Sequence, residues 1–151
     1  MCAGCAETEI PIIRRHAAAM GEALAQFTDA QGEVAKLAYL SRAAEACDSL
    51  TYYEGIGVST ITPPPSAMLR KLEAREVDLV NAALGEIRRQ WAQSMEASPE
   101  PTAQLAAYSD ALAAMDELMD AARDVSKVEK AAVQFAGKRD RLARRVDRGD
   151  S

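Results

Sequence analysis

The chain has 151 residues and a formal net charge of −5, with 48% hydrophobic but only 5% aromatic residues. That length suits one domain with its own core, and few rings beside abundant Ala, Leu, Val and Met favour close helix–helix contact over a thick globular interior. The acidic balance argues against the whole domain binding nucleic acid, which needs a basic face. No segment is long and apolar enough to cross a bilayer, and no N-terminal apolar stretch completes a secretory signal.

The chain opens Met1-Cys2-Ala3-Gly4-Cys5-Ala6. Ala3-Gly4-Cys5 resembles the end of a bacterial lipobox, where a small residue precedes the cysteine that is acylated and becomes the mature N-terminus. The resemblance covers four residues and departs from the pattern at Cys2, which stands where a leucine is expected. It implies lipidation at Cys5, or at Cys2 itself, and a signal replaced by Met1. The same four residues form a C-x-x-C, but no strand-to-helix pattern surrounds them as in a redox pair. A zinc site would need both Cys47 and His16, about 30 residues apart on a helical pattern, so no metal is expected. Cys47 lies on an apolar face and reads as a buried thiol. His16, beside Arg14 and Arg15, reads as solvated.

A first helix is expected over about residues 9–53, with Thr8 able to cap it and Pro11 tolerated in the first turn. Its seam is Ile10, Ile13, Ala17, Met20, Leu24, Phe27, then Val34, Leu37, Leu40, Ala44 and Cys47. Gln31 and Gly32 mark a weak point. A helix interrupted there would raise the helix count from three to four. Gly55 and Gly57 end the helix, and the stretch to Pro63-Pro64-Pro65 reads as a long extended connection. Tyr52, Tyr53, Ile56 and Ile61 could form a partner-binding tip on it, or strap the end of the bundle.

Ser66 reads as the N-cap of a second helix over about 66–96, with seam Leu72, Val77, Val80, Leu84, Ile87, Trp91 and Met95. Trp91, the single tryptophan, reads as a core anchor. Ser98-Pro99-Glu100-Pro101 ends that helix sharply and makes the second and third helices antiparallel neighbours. The third helix is expected over about 101–147, with apolar residues at Leu105, Tyr108, Leu112, Met115, Met119 and Ala122, then Val125, Val128, Ala132, Phe135, Leu142 and Val146. Between Met119, Ala122 and Val125 the spacing is three-three, which would overwind a coiled coil and rotate its seam. At 1.5 Å per residue such a helix would be roughly 70 Å long. The fold class is all-α: an elongated antiparallel three-helix bundle or coiled coil. Residues 8–148 form the domain, between a flexible start (1–7) and a flexible tail (149–151).

Lys138, Arg139, Arg141, Arg144, Arg145 and Arg148 give residues 138–148 a local net charge of +4, leaving −9 for the rest. Cations in the last turns complement a helix dipole, and they could equally dock an anionic surface such as headgroups, cell-wall polymer, nucleic acid or an acidic protein. There is no glycine-rich phosphate loop, G-x-S-x-G, H-E-x-x-H or Glu-x-x-His pair. Asp116, Glu117 and Asp120 lie off the seam. No enzyme and no cofactor are expected. The leading expectation is a lipid-anchored, non-enzymatic spacer or adaptor of the bacterial cell envelope or periplasm that binds another envelope component. A cytoplasmic or phage-derived assembly protein that self-associates comes second. A small regulator reaching nucleic acid with its basic tail comes third.

Overall fold

A computed structural model describes residues 10–149. Among them the protein is all-helical, with no strand and five helices: α1 (Pro11–Asp29), α2 (Glu33–Gly55), α3 (Pro65–Ala97), α4 (Pro101–Ala121) and α5 (Ser126–Asp147). No described helix is long and apolar enough to cross a membrane. The chain divides into two compact units, one up to Asp78 and one from Leu79, and the boundary falls inside α3.

In the first unit, Pro11 opens α1 with its φ already helical, and the Ile10 carbonyl accepts from the N–H groups of Ile13 (2.9 Å) and Arg14 (3.2 Å). The single first helix expected over 9–53 does not form; the chain breaks near Gly32 into α1 and α2. Ala30 is extended and Gly32 sits at φ 86°, ψ 154°, a conformation open essentially to glycine alone. The chain turns back there. The Lys36 ammonium lies 5.8 Å from the Phe27 ring, and His16 and Tyr53, far from the turn on both helices, have ring centroids 6.5 Å apart. These pairings define an antiparallel hairpin. His16 is half-buried against Tyr53 rather than solvated as expected.

The hairpin core is Ile13, Met20 and Ala23 of α1 against Ala43, Ala46, Cys47 and Leu50 of α2. Ala and Cys at the contact let the two backbones approach closely. Ile61 of the connection and Met68, Leu69 and Leu72 of α3 pack on the same cluster. The connection leaves α2 through Gly57 at φ 76°, and the Tyr53 carbonyl accepts from both Val58 N–H (3.0 Å) and Ser59 N–H (3.2 Å). The Thr62–Pro63 peptide is cis.

The start of α3 corrects the expected cap. The helix begins at Pro65, one residue before Ser66, and the Glu54 carboxylate of α2 accepts from Ser66 N–H (2.9 Å) and Ser66 Oγ–H (2.8 Å). An anion at a helix N-terminus satisfies orphan donors and complements the dipole. The Cys47 thiol donates to the Pro65 carbonyl over 3.2 Å, which ties α2 to the same turn. Further along α3 the expected seam shifts by one residue: Val77 is 52% exposed and Glu76 only 4%. Strict three-four spacing from Leu69 and Leu72 lands on position 76. Helical geometry places the glutamate inward even though valine is the more apolar neighbour.

The second unit departs most from expectation. Instead of one helix over 101–147, α4 ends at Ala121, Ala122 is extended, and α5 starts at Ser126. Asp124 Oδ1 accepts from Ser126 N–H (3.1 Å) and Ser126 Oγ–H (2.7 Å), which fixes the turn into the start of α5. The three-three spacing at Met119, Ala122 and Val125 therefore marks a chain reversal, not an overwound coil. Tyr108 of α4 meets Phe135 of α5 edge-on, centroids 5.9 Å apart, so the two helices pair as a second antiparallel hairpin. Folding back gives both halves of the seam a partner within the chain. Tyr108, Met115, Val128, Phe135 and Leu142, all expected seam residues, are buried.

Candidate anion-binding groove

The basic end of α5 is built by helical period. Val128, Ala131, Phe135 and Leu142 form its buried face. Lys138, Arg141, Arg145 and Arg148 follow one another at three-four-three spacing along a neighbouring stripe. At about 100° per residue, the acids Glu129, Asp140 and Asp147 fall roughly a third of a turn away around the helix. Charge is thus sorted by face.

Lys138, Arg141, Arg144, Arg145 and Arg148 line, with Tyr108 of α4, an open concavity of about 520 Å³. Its aromatic support is a three-ring cluster. The centroids of Trp91 and Tyr108 are 5.4 Å apart, those of Trp91 and Phe135 5.0 Å, and Tyr108 closes the triangle against Phe135. The Lys138 ammonium is 5.9 Å from both the Trp91 and Phe135 centroids, within range of the negative ring faces. That seat orients one cation of the groove. Among the described residues no carboxylate lines it, so the positive charges reinforce one another's field on the solvent side.

Five of the six expected cations therefore converge. Arg139, about 100° around the helix from Lys138, does not; its guanidinium lies 3.5 Å from the exposed Asp140 carboxylate. The expected tip on the α2–α3 connection divides as well. Tyr53 and Ile61 pack onto the first unit's core, whereas Tyr52 and Ile56 are exposed, with Tyr52 edge-on to Tyr53 at 5.1 Å. Cys2 and Cys5, the expected lipidation positions, lie outside the described residues. Cys47 is buried, as its place on an apolar face implies.

Sequence reasoning missed Tyr108 as a groove wall and the aromatic seat of Lys138. The signal for the first was available only after the reversal at Ala122, because a continuous helix keeps Tyr108 and Lys138 about 45 Å apart. Trp91 anchors the ring cluster, yet its indole N–H is buried with no hydrogen-bond acceptor among the described residues. It also borders a smaller cavity of about 100 Å³ with Gln90, Ser94 and Asp110. Among the described residues no group of three His, Cys, Asp or Glu is placed to hold a metal ion.

No protein-family model matches the chain, and neither a curated protein nor a solved structure matches it.

Proposed function

We propose that the protein is a non-enzymatic helical adaptor that docks an anionic partner in the α5 groove. The observation that carries this is the gathering of five cations into one concavity that no carboxylate of the described residues lines. Helix-dipole compensation needs only a cation or two in the last turn. A stripe reaching back to Lys138, more than two turns from the helix end, exceeds that need. The same proposal takes the helices as an antiparallel bundle that serves as a spacer, and places the protein in the bacterial cell envelope through a lipid on Cys5 or Cys2. The lipobox-like Ala3-Gly4-Cys5 supports the second part.

Two experiments test it. Binding of the full chain to anionic vesicles, polyglutamate and oligophosphate is compared with that of the double variant Arg141→Glu/Arg145→Glu and of Arg139→Glu. The proposal expects the double variant to lose at least about tenfold in affinity, worth 1.4 kcal/mol, and the single variant to keep it. Equal binding by all three proteins contradicts it. The anchor is tested by intact mass of the native protein from membrane and soluble fractions. A mass beginning at Cys2 or Cys5 with a diacylglyceryl group and acyl chain is expected. An unmodified soluble chain beginning at Met1 would sink the anchor.

A further inference from the structure

The size and charge of the groove together narrow its anion. We infer that it binds a compact oligophosphate group, a short run of linked phosphates recognised through their oxygens. This rests on the anion-docking proposal above. A concavity of about 520 Å³ corresponds to a sphere roughly 10 Å across, within the usual size of small-ligand sites. Leaving aside Arg148, which makes a contact of its own, the other four cations call for about three or four negative charges at close spacing. An extended acidic peptide presents carboxylates on one side only every 6–7 Å or so, hence about two across the groove. An acidic helix presents about one per 5 Å turn, or two to three. Linked phosphates, roughly 3 Å apart with about one to two charges each, reach the required density.

The side-chain types agree. Four of the five cations are arginines, whose planar forks bind phosphate oxygens in pairs. Tyr108 is the one aromatic lining the groove and is only 7% exposed, so it offers little ring face on which a base could stack. Recognition is therefore of phosphates and not of a nucleobase. An extended nucleic acid is disfavoured for a further reason. With the five groove cations set aside, the rest of the chain carries a net −10, and only charges within about 8–10 Å of the groove escape salt screening.

The test is calorimetry on the full chain with inorganic tripolyphosphate, orthophosphate, adenosine triphosphate, a short polyglutamate of matched charge, duplex DNA, and vesicles with or without a polyphosphorylated headgroup. Tripolyphosphate should bind at least tenfold more tightly than orthophosphate or polyglutamate, and adenosine triphosphate no more tightly than tripolyphosphate. Arg141→Ala/Arg145→Ala should lose at least tenfold, and Arg139→Ala nothing. Arg141→Lys/Arg145→Lys, which keeps the charge without the fork, should fall between. Stronger binding to headgroup-bearing vesicles than to free tripolyphosphate assigns the phosphates to a lipid surface; the reverse assigns them to a soluble molecule. Polyglutamate or duplex DNA binding as tightly as tripolyphosphate overturns the oligophosphate assignment and leaves anion docking standing. Binding to none of these probes overturns both.

Discussion

The two helical units differ in where their charge goes. In the first, Glu54 is consumed internally: its carboxylate closes the start of α3 at Ser66, while the Cys47 thiol holds the Pro65 carbonyl beside it. In the second, the acids of α5 are turned to one side and five cations are gathered on another around a groove. Polar groups paired within the chain stabilise a fold by satisfying donors that would otherwise be stranded. Like charges brought together raise the energy of the folded chain, and a ligand of opposite charge recovers that cost on binding. The first unit pairs these polar groups internally, whereas the second, on the proposed reading, leaves its cations for a partner.

Core truncation gives the largest expected effects and separates the units. Leu50→Ala removes a fully buried side chain of the first unit and should destabilise by about 2–5 kcal/mol in urea unfolding, leaving groove affinity unchanged while the protein is folded. Phe135→Ala should cost about 3–5 kcal/mol and also weaken anion binding, because Lys138 loses one of its ring seats. Equal effects of both variants on binding would break the contrast.

Next come the two hairpin turns. Gly32→Ala forces a side chain into a φ of 86° and should cost about 1–3 kcal/mol. The α4–α5 turn has no residue of that kind and relies on Asp124, whose carboxyl is held below its ordinary value by the hydrogen bonds from the Ser126 hydroxyl and N–H. A carboxyl lowered on folding stabilises above its unfolded pKa, about 3.9, and that contribution is lost as the pH falls through the folded value. Stability of the wild type should therefore decline below about pH 4 more steeply than that of Asp124→Asn, measured by thermal unfolding. Parallel curves would remove Asp124 from the account of this turn.

The first turn was visible only as a weak point, where Gln31 and Gly32 interrupt an otherwise apolar series that was expected to continue as one helix. The second was not. Ala122 to Val125 contains neither Gly nor Pro, and a three-three step in a seam describes an overwound helix and a reversal equally well. Asp124 two residues ahead of Ser126 was the local signal, and it is a weak one. Most seam positions were readable from spacing alone; Ile10, Val34 and Val77 are exposed instead, and at Val77 apolar character outweighed register. The cation cluster was plain in the sequence, but its concavity was not, since Tyr108 comes from a helix that only the reversal brings alongside. Helical period could already have separated Arg139 from the stripe of Lys138, Arg141, Arg145 and Arg148.

Trp91 offers the most direct check, because it is the single tryptophan and the Lys138 ammonium lies 5.9 Å from its ring. An anion entering the groove draws on the same cation and should alter the indole emission. Titration of the full chain with tripolyphosphate should give a saturable fluorescence change that about 1 M salt reverses and that Arg141→Glu/Arg145→Glu abolishes. Emission indifferent to tripolyphosphate, polyglutamate and anionic vesicles alike, in wild type and variant, would contradict the claim that this groove is a docking site.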